Sequence, residues 1–192
     1  MSGNYLPRNP FAEALGHAML RLSGWRIEGS LPALDKFVVI GAHHTSNWDF
    51  VLFLAAKFVL RLNARWFGKH TLFSGPLGGM MRRWGGIPIQ RHLKLNTVDQ
   101  AVQAFHESRE MMLILSPEGT RKKVERWKMG FYHIARGAGV PIVLAALDYP
   151  GRRIVIGEPY WPTGDEAGDL RRMLDFYQPF VPKKPEYAFF GD

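Results

Sequence analysis

Short apolar runs alternate with amphipathic stretches along this chain, and this alternation restricts its fold more than any other feature. Residues 37–42 form a β-branched run with charge on one side and glycine on the other, as expected of a buried parallel strand. Further strands are predicted at residues 65–68, 86–90, 111–115, 141–147 and 153–156, with helices at 97–109 and 130–138. Such a pattern predicts an α/β fold with a mostly parallel or mixed central sheet flanked by helices.

The length of the chain fits one such domain. Its 192 residues are close to the roughly 150 residues of a typical domain. We therefore expect a single domain over residues 1–192, divided into an N-terminal amphipathic helix region at 1–30, a core at 37–156 and an irregular tail at 178–192.

The N-terminal region predicts an amphipathic helix that is capped by Asn9, has Pro10 in its first turn and ends near Gly24. Apolar residues recur at helical spacing between Phe11 and Leu22. This apolar stripe either packs on the domain or lies on a bilayer surface. No apolar run reaches the ~18 to 20 residues that span a bilayer, and no secretory signal is recognisable, so we expect a cytoplasmic protein.

Positive charge is concentrated in one segment of the chain. Residues 50–98 contain eight lysines and arginines but no aspartate or glutamate, and the net charge of the chain is +8. Such a segment suits an anionic partner, which could be a phospholipid headgroup, a phosphorylated cofactor, an acidic carrier protein or nucleic acid, or it is only a solvated basic face. Because the sequence has no nucleic-acid-binding motif, we expect no nucleic acid partner.

Several classes of chemistry are excluded or lack their usual signature. The absence of cysteine excludes disulfides, Cys-ligated zinc, iron–sulfur clusters and a thiol nucleophile. The motifs of serine hydrolases with a nucleophile elbow, zincins, P-loop NTPases and dinucleotide enzymes are also absent. The chemistry of this chain must therefore use oxygen and nitrogen groups.

His44 and Asp49 stand where the strand at 37–42 meets a predicted helix that runs to about Leu62. Residues five apart on a regular helix point about 140° apart, so these side chains can meet only if His44 precedes the helix and Asp49 lies in its first turn. Asp49 would then accept the Nδ1 proton of His44 and leave Nε2 free as a general base. Alternatively, Asp49 only caps the helix, where the helix dipole favours its charge.

Residues 116–121, Ser-Pro-Glu-Gly-Thr-Arg, follow the predicted strand at 111–115. Open α/β sheets bind their ligands at the carboxyl ends of parallel strands, and Arg121 with the lysines after it would attract a phosphate group. The alternative is an ordinary turn with solvated lysines.

Taken in order, four motifs resemble those of the glycerophospholipid acyltransferase family, which includes the 1-acylglycerol-3-phosphate acyltransferases. The motifs and their matches are H-x4-D at residues 44–49, G-x-x-x-x-R at 86–91, P-E-G-T-R at 117–121 and V-P-I at 140–142. Lys128 begins a K-x-G sequence that follows P-E-G-T-R in many members. The resemblance covers residues 37–156, and it departs from many members in having only a mildly apolar N-terminus where they carry a membrane anchor.

The resemblance implies a glycerolipid acyltransferase-like domain that moves a fatty acyl chain from acyl-coenzyme A (acyl-CoA) or acyl carrier protein (acyl-ACP) to a hydroxyl of a lysophospholipid-type acceptor. His44 would be the general base and Asp49 its orienting partner. The residues expected to bind substrate are Arg91, Glu118, Gly119, Thr120, Arg121 and Lys128. Arg91 is alternatively a strand-end residue paired with Glu118.

The resemblance implies no metal and no cofactor apart from the acyl carrier as co-substrate. Together with the basic segment at residues 50–98, it implies peripheral association with an anionic membrane on its cytoplasmic face. Three alternatives stay open: transfer to an aminolipid or glycolipid acceptor, hydrolysis of the thioester by water, and a non-catalytic module that binds anionic lipid.

An acyl chain also needs an apolar channel. The helix after Asp49 offers lining for such a channel, together with seven candidates later in the chain: Phe67, Leu72, Phe73, Leu77, Met80, Met81 and Trp84. The same residues are equally suited to a plain core or to a membrane-facing surface.

Overall fold

The computed structural model describes residues 5–7, 9–89 and 97–191. Within these residues there are seven strands, which are β1 (Arg26–Glu28), β2 (Lys36–Ala42), β3 (Ala64–Lys69), β4 (Gly86–Ile89), β5 (Met111–Leu115), β6 (Ile142–Asp148) and β7 (Arg153–Tyr160). They form one sheet in the order β1-β7-β6-β2-β5-β3-β4. All neighbouring pairs are parallel except β6 and β7. The predicted α/β domain with a mixed sheet is therefore confirmed.

Helices cover both faces of this sheet. They are α1 (Pro10–Ser23), α2 (Asn47–Val59), α3 (Gly78–Arg83), α4 (Thr97–Glu107), α5 (Gly130–Ala138) and α6 (Glu166–Tyr177), with short 3-10 turns at His70–Leu72 and Pro185–Tyr187. Along β2, Val38 and Ile40 pack into the core formed with α4, α5 and α6, whereas Phe37 and Val39 face the opposite side. Burial on both faces explains why this strand is a continuous apolar run.

The predicted N-terminal helix is confirmed. The side chain of Asn9 accepts a hydrogen bond from the backbone of Ala12, and Gly24 ends α1 in a left-handed conformation with φ 73°. Leu20 is buried against α2, but Phe11 and Leu22 are 79% and 90% exposed. None of the helices among the described residues has the length and apolar character that a bilayer span requires.

Three elements were not predicted from the sequence: β1, α3 and α6. The first two are only three and six residues long, too short for a periodic pattern to emerge. Helix α6 has a polar sequence, and it is held by its buried Asp169, which accepts hydrogen bonds from Tyr132, Tyr160 and Thr163. In addition, β7 extends four residues beyond its predicted end, and α2 ends at Val59 instead of near Leu62.

The strands β6, β2, β5 and β3 are consecutive and parallel, so their carboxyl ends lie along one edge of the sheet. We call this edge, with the residues that directly follow these four strands, the carboxyl edge. It holds residues 43–49 after β2, residues 116–121 after β5 and Tyr149 after β6. The predicted motifs at 44–49 and 117–121 therefore meet at the same end of the molecule.

Candidate active site

His44 and Asp49 lie side by side at the carboxyl edge. The Nδ1 atom of His44 is 3.2 Å from Oδ2 of Asp49. His44 lies before α2, whereas Asp49 is the third residue of that helix. The chain between them turns back on itself, which is the arrangement that a separation of five residues requires for contact.

The carboxylate of Asp49 is buried and accepts hydrogen bonds on both oxygens. Its Oδ2 accepts from the backbone N–H groups of Thr45 and Ser46, each at 2.8 Å, and its Oδ1 accepts from the hydroxyl of Tyr149 at 2.6 Å. Ser46 caps α2, and its side chain with that of Asp49 forms a capping box. Because an ionised carboxylate can only accept hydrogen bonds, Nδ1 of His44 is the donor in its contact with Asp49.

The electrostatics of the site keep Asp49 ionised. Burial raises the pKa of Asp49, but hydrogen bonds from His44, Tyr149 and the Ser46 backbone outweigh burial, so the pKa lies below its ordinary value. The start of α2 also favours a negative charge at this position. Burial and the neighbouring charge of Asp49 raise the pKa of Tyr149 well above its ordinary value, so its hydroxyl remains a donor.

Sequence reasoning did not identify Tyr149, which is 100 residues from Asp49 along the chain. It directly follows β6, the neighbour of β2 in the sheet. Its ring packs edge-on against Trp25 with the centroids 4.9 Å apart. The sequence signal for Tyr149 was its place two residues after the strand predicted at 141–147, which the sheet topology places next to β2.

Glu118 lies in the loop after β5 and points into the protein. Its carboxylate is 2% exposed, accepts a hydrogen bond from the Ser116 hydroxyl at 2.7 Å and places Oε1 3.3 Å from Nδ1 of His43. This second contact between Glu118 and His43 is not a hydrogen bond. These contacts connect Glu118 to the interior, and its role in substrate binding stays a prediction.

His43 is a second residue that sequence reasoning missed. It is 3% exposed, and its ring packs against Trp127, Tyr177 and Phe190. Within the described part of the chain, neither of its ring nitrogens makes a hydrogen bond. The tail at 178–191 thus covers this side of the carboxyl edge, where the Lys184 N–H also donates to the Thr45 hydroxyl.

Four other predicted binding residues follow Glu118 in the loop between β5 and α5. Gly119 adopts a left-handed conformation with φ 62°, and a Cβ atom there would lie 3.3 Å from Nζ of Lys128. Thr120 accepts a hydrogen bond from the Lys122 backbone, whereas Arg121 and Lys128 are exposed. Arg91 lies outside the described residues. The structure thus brings Glu118, Gly119 and Lys128 together, and their binding roles stay predictions.

An apolar cleft of about 180 Å³ opens beside this loop, between the end of β5 and the start of α5. Its lining includes Phe67, Leu115 and Phe131. Of the seven predicted channel residues, Phe67 lines this cleft and Phe73 is buried in the interior. Leu72 and Leu77 are instead 51% and 58% exposed.

Relatives of this chain have acyltransferase names. It is 29% identical over 153 residues to a 1-acyl-sn-glycerol-3-phosphate acyltransferase of Salmonella typhimurium, an alignment that covers 72% of this chain and 61% of that protein. It is 27% identical over 165 residues to the protein of the same name from Escherichia coli, covering 78% of this chain and 65% of that protein. The chain therefore spans less than two thirds of the length of these curated relatives.

The fold is similar to the crystal structure of the 1-acyl-sn-glycerophosphate (LPA) acyltransferase PlsC from Thermotoga maritima. The TM-score is 0.62 at 21% identity, over 86% of this chain and 74% of that chain. A family model described as Acyltransferase matches residues 26–147, a stretch that includes both His44 and Asp49 and the loop after β5. Since this match covers more than half of the 192 residues, the chain belongs to the Acyltransferase family.

Proposed function

We propose that this chain transfers a fatty acyl chain from an acyl thioester, acyl-CoA or acyl-ACP, to a hydroxyl of a lysophospholipid-type acceptor. The observation that carries the proposal is the Asp49 carboxylate, which is held by three donors and faces Nδ1 of His44. The names of the relatives support the acceptor class, because 1-acyl-sn-glycerol-3-phosphate is a lysophospholipid.

In the proposed reaction, Nε2 of His44 takes the proton of the acceptor hydroxyl while that oxygen attacks the thioester carbonyl. The new C–O bond forms, the C–S bond breaks, and the imidazolium returns its proton to the leaving thiolate. Asp49 orients the imidazole and stabilises its protonated form. The acyl chain moves directly from sulfur to oxygen, and no acyl-enzyme is needed.

General-base catalysis contributes typically ~10²–10⁴-fold, or about 3 to 5 kcal/mol of barrier. Positioning of the two substrates must therefore supply much of the remaining acceleration. Arg121 and Lys128 are exposed beside the site, and with Arg91 they are our candidates for binding the acceptor phosphate. We assign Gly119 and Thr120 to other polar atoms of the substrate, and Glu118 to fixing this loop against His43.

The acyl chain requires an apolar surface next to the reacting carbonyl. The cleft of about 180 Å³ beside Ser116 and Pro117 offers one, because Leu115, Phe131 and Ile134 contribute to its walls. Of the seven channel residues that the sequence suggested, Phe67 contributes to this cleft. We propose that it accepts the part of the acyl chain nearest to the thioester.

The proposed acceptor resides in a membrane, and the charge of the chain supports work at an anionic bilayer. The net charge is +8, and residues 50–98 contain no acidic residue. The cytoplasmic leaflet carries a negative surface potential that attracts such a segment. Peripheral association with that face is therefore part of the proposed function.

The test measures thioester consumption by purified protein with and without a lysophospholipid. We expect consumption only when the acceptor is present, and a loss of ~10²–10⁴-fold in kcat in the His44→Ala variant. His17→Ala is a matched control, since His17 is exposed on α1. Undiminished turnover by a folded His44→Ala protein would show that His44 is not the base.

The same assay distinguishes the alternatives. Release of free fatty acid at an equal rate with and without acceptor would identify a thioesterase. No consumption of thioester, with vesicle binding that weakens in salt, would identify a binding module. Mass spectrometry of the products from a panel of acceptors, offered with acyl-CoA and with acyl-ACP, would identify the acceptor and the donor.

A further inference from the structure

The C-terminal tail runs along the carboxyl edge beside the candidate site, and hydrogen bonds attach it to the loops after β6 and β2. The Val181 carbonyl accepts a hydrogen bond from the Tyr149 backbone N–H at 2.9 Å. The Lys184 N–H donates to the hydroxyl of the buried Thr45 at 3.2 Å. Lys183 lies between these two attachments, so the backbone fixes its position at the site.

The ammonium group of Lys183 lies over two aromatic rings of the site. Its Nζ is 5.0 Å from the centre of the Trp48 ring and 5.7 Å from the centre of the Tyr149 ring. Trp48 directly precedes Asp49 in α2, and the Tyr149 hydroxyl donates to the Asp49 carboxylate. Such ring contacts attract a cation without neutralising it. The two rings therefore hold a positive charge close to the residues that orient His44.

This positive charge is available to a ligand. Lys183 is exposed, and among residues 5–7, 9–89 and 97–191 no carboxylate forms an ion pair with it. Lysine presents a compact ammonium with three hydrogen-bond donors, and it commonly binds phosphate groups. Lys183 also lies outside the match to the Acyltransferase model, which ends at residue 147. The motifs of the family therefore do not assign it a role.

Both substrates of the proposed reaction carry phosphate. One is the lysophospholipid acceptor, for which Arg121 and Lys128, which follow β5, are candidate ligands. The other is the acyl donor, because CoA and acyl carrier protein both hold the thioester on a phosphopantetheine arm. The question is therefore which of the two phosphate groups lies near Lys183.

The strand order separates Lys183 from the apolar cleft. That cleft lies beside the ends of β5 and β3, whereas Lys183 lies over residues that follow β2 and β6. Because β2 stands between β5 and β6, an acyl chain in the cleft with its carbonyl at His44 directs the pantetheine arm away from β5. We propose that Lys183 binds the phosphate of this arm. The inference rests on the proposed function, because it adds a donor subsite to the same reaction.

The test compares two acyl donors that differ only in the phosphate, dodecanoyl-phosphopantetheine and dodecanoyl-pantetheine. At a fixed concentration of lysophospholipid, we expect Lys183→Gln to raise KM for the phosphorylated donor roughly tenfold, because a charge-assisted contact is lost. KM for dodecanoyl-pantetheine, and kcat with both donors, should change less than about twofold, as expected for a contact that binds ground state and transition state equally. Lys183→Arg keeps the charge and should restore most of the affinity.

Lys184→Gln is the matched control. Lys184 is also exposed, but its Nζ contacts the ring of Tyr187, 5.2 Å from the centroid. Both changes lower the net charge by the same amount, so a general loss of attraction for anions would affect the two variants alike. An equal rise in KM in Lys183→Gln and Lys184→Gln would therefore overturn the proposal.

Two further results would also overturn it. One is an equal rise in KM for both donors in Lys183→Gln, which would show that Lys183 does not bind the phosphate. The other is a rise in KM for 1-acyl-sn-glycerol-3-phosphate with an unchanged KM for the donor, which would place the acceptor phosphate at Lys183. Because acyl-CoA and acyl-ACP share the arm, the Lys183→Gln effect should appear with whichever of them the protein accepts as donor.

Equilibrium binding separates this inference from the proposed function. The protein is titrated with dodecanoyl-phosphopantetheine in a calorimeter without acceptor, and Kd should be roughly tenfold higher in Lys183→Gln and unchanged in Lys184→Gln. This result, in a protein that transfers no acyl chain, would support the phosphate subsite and refute the proposed function. Acyl transfer with the same donor KM in wild type and Lys183→Gln would refute the subsite and leave the proposed function intact. Loss of thermal stability in Lys183→Gln with an unchanged Kd would show that Lys183 only holds the tail in place.

Discussion

Replacing Tyr149 with phenylalanine isolates one hydrogen bond of the candidate site. The change keeps the ring against Trp25 and removes only the hydroxyl that donates to Oδ1 of Asp49 at 2.6 Å. A hydrogen bond to a charged group contributes about 1.5–3 kcal/mol. We therefore expect the free energy of unfolding to fall by about 2 kcal/mol at pH 7, which lowers Tm by roughly 4–8 °C for a chain of this size.

The loss should also depend on pH in a defined direction. In the folded protein the pKa of Asp49 lies below its ordinary value of 3.8, so its ionisation stabilises the fold above that value and loses this contribution as the pH falls through the lower folded pKa. The variant lacks one donor that lowers this pKa. The difference in stability between the two proteins should be full at pH 7 and shrink below about pH 4, because the Asp49 carboxyl is protonated first in the unfolded chain and at lower pH in the folded protein.

Urea unfolding at pH 7, 5 and 3 measures this difference, with kcat for acyl transfer measured in parallel at pH 7. We expect kcat to fall by about tenfold, less than in His44→Ala, because His44 still faces Asp49. Tyr187→Phe is the control, since the ring of Tyr187 packs beside Nζ of Lys184, in the tail after α6. A loss below about 0.5 kcal/mol, or one equal at all three pH values, would refute the reasoning.

Three further predictions concern other parts of the chain. Burial lowers the pKa of Lys57 to about 8, so wild-type stability should rise by up to about 3 kcal/mol between pH 8 and 10.5, and Lys57→Met should abolish this rise in urea titrations. Glu118→Gln and His43→Asn should each lower the free energy of unfolding. In the double variant this loss should be at least about 1 kcal/mol smaller than the sum of the two single losses; additive losses would mean that the two side chains are uncoupled. Gly119→Ala and Gly139→Ala should each lower the free energy of unfolding by about 1 kcal/mol because both positions have positive φ. Only Gly119→Ala should slow acyl transfer. Equal kcat values in the two variants would show that the loop after β5 is not part of the site.

The sequence predicted the parts of the fold and site that are encoded locally. The apolar runs of β2, β5 and β6 identified buried strands, and the five-residue separation of His44 and Asp49 across a strand–helix junction predicted their contact. Tyr149 could not be found in this way, because its contact with Asp49 depends on β6 lying beside β2 in the sheet. The burial of Glu118 against His43 likewise depends on two strands pairing.

The missed elements α6 and β1 have different causes. The pattern of Leu170, Met173, Leu174 and Tyr177 has helical spacing, and Asp165 caps the helix, so α6 carried a local signal that its polar surface obscured. In contrast, β1 has only three residues and exists by pairing with β7. The exposure of Leu72 and Leu77 was equally hidden, since apolar residues in a sequence do not reveal which side of a loop they occupy.

Asp49 belongs both to the first turn of α2 and to the pair with His44. Opening of that turn withdraws the N–H groups of Thr45 and Ser46 from the carboxylate and releases the imidazole in the same event. Helix ends fray at lower free energy than the whole domain unfolds. Heat inactivation of the proposed acyl transfer should consequently begin below the melting transition, and loss of the Ser46 cap should slow that reaction by loosening the turn that holds Asp49.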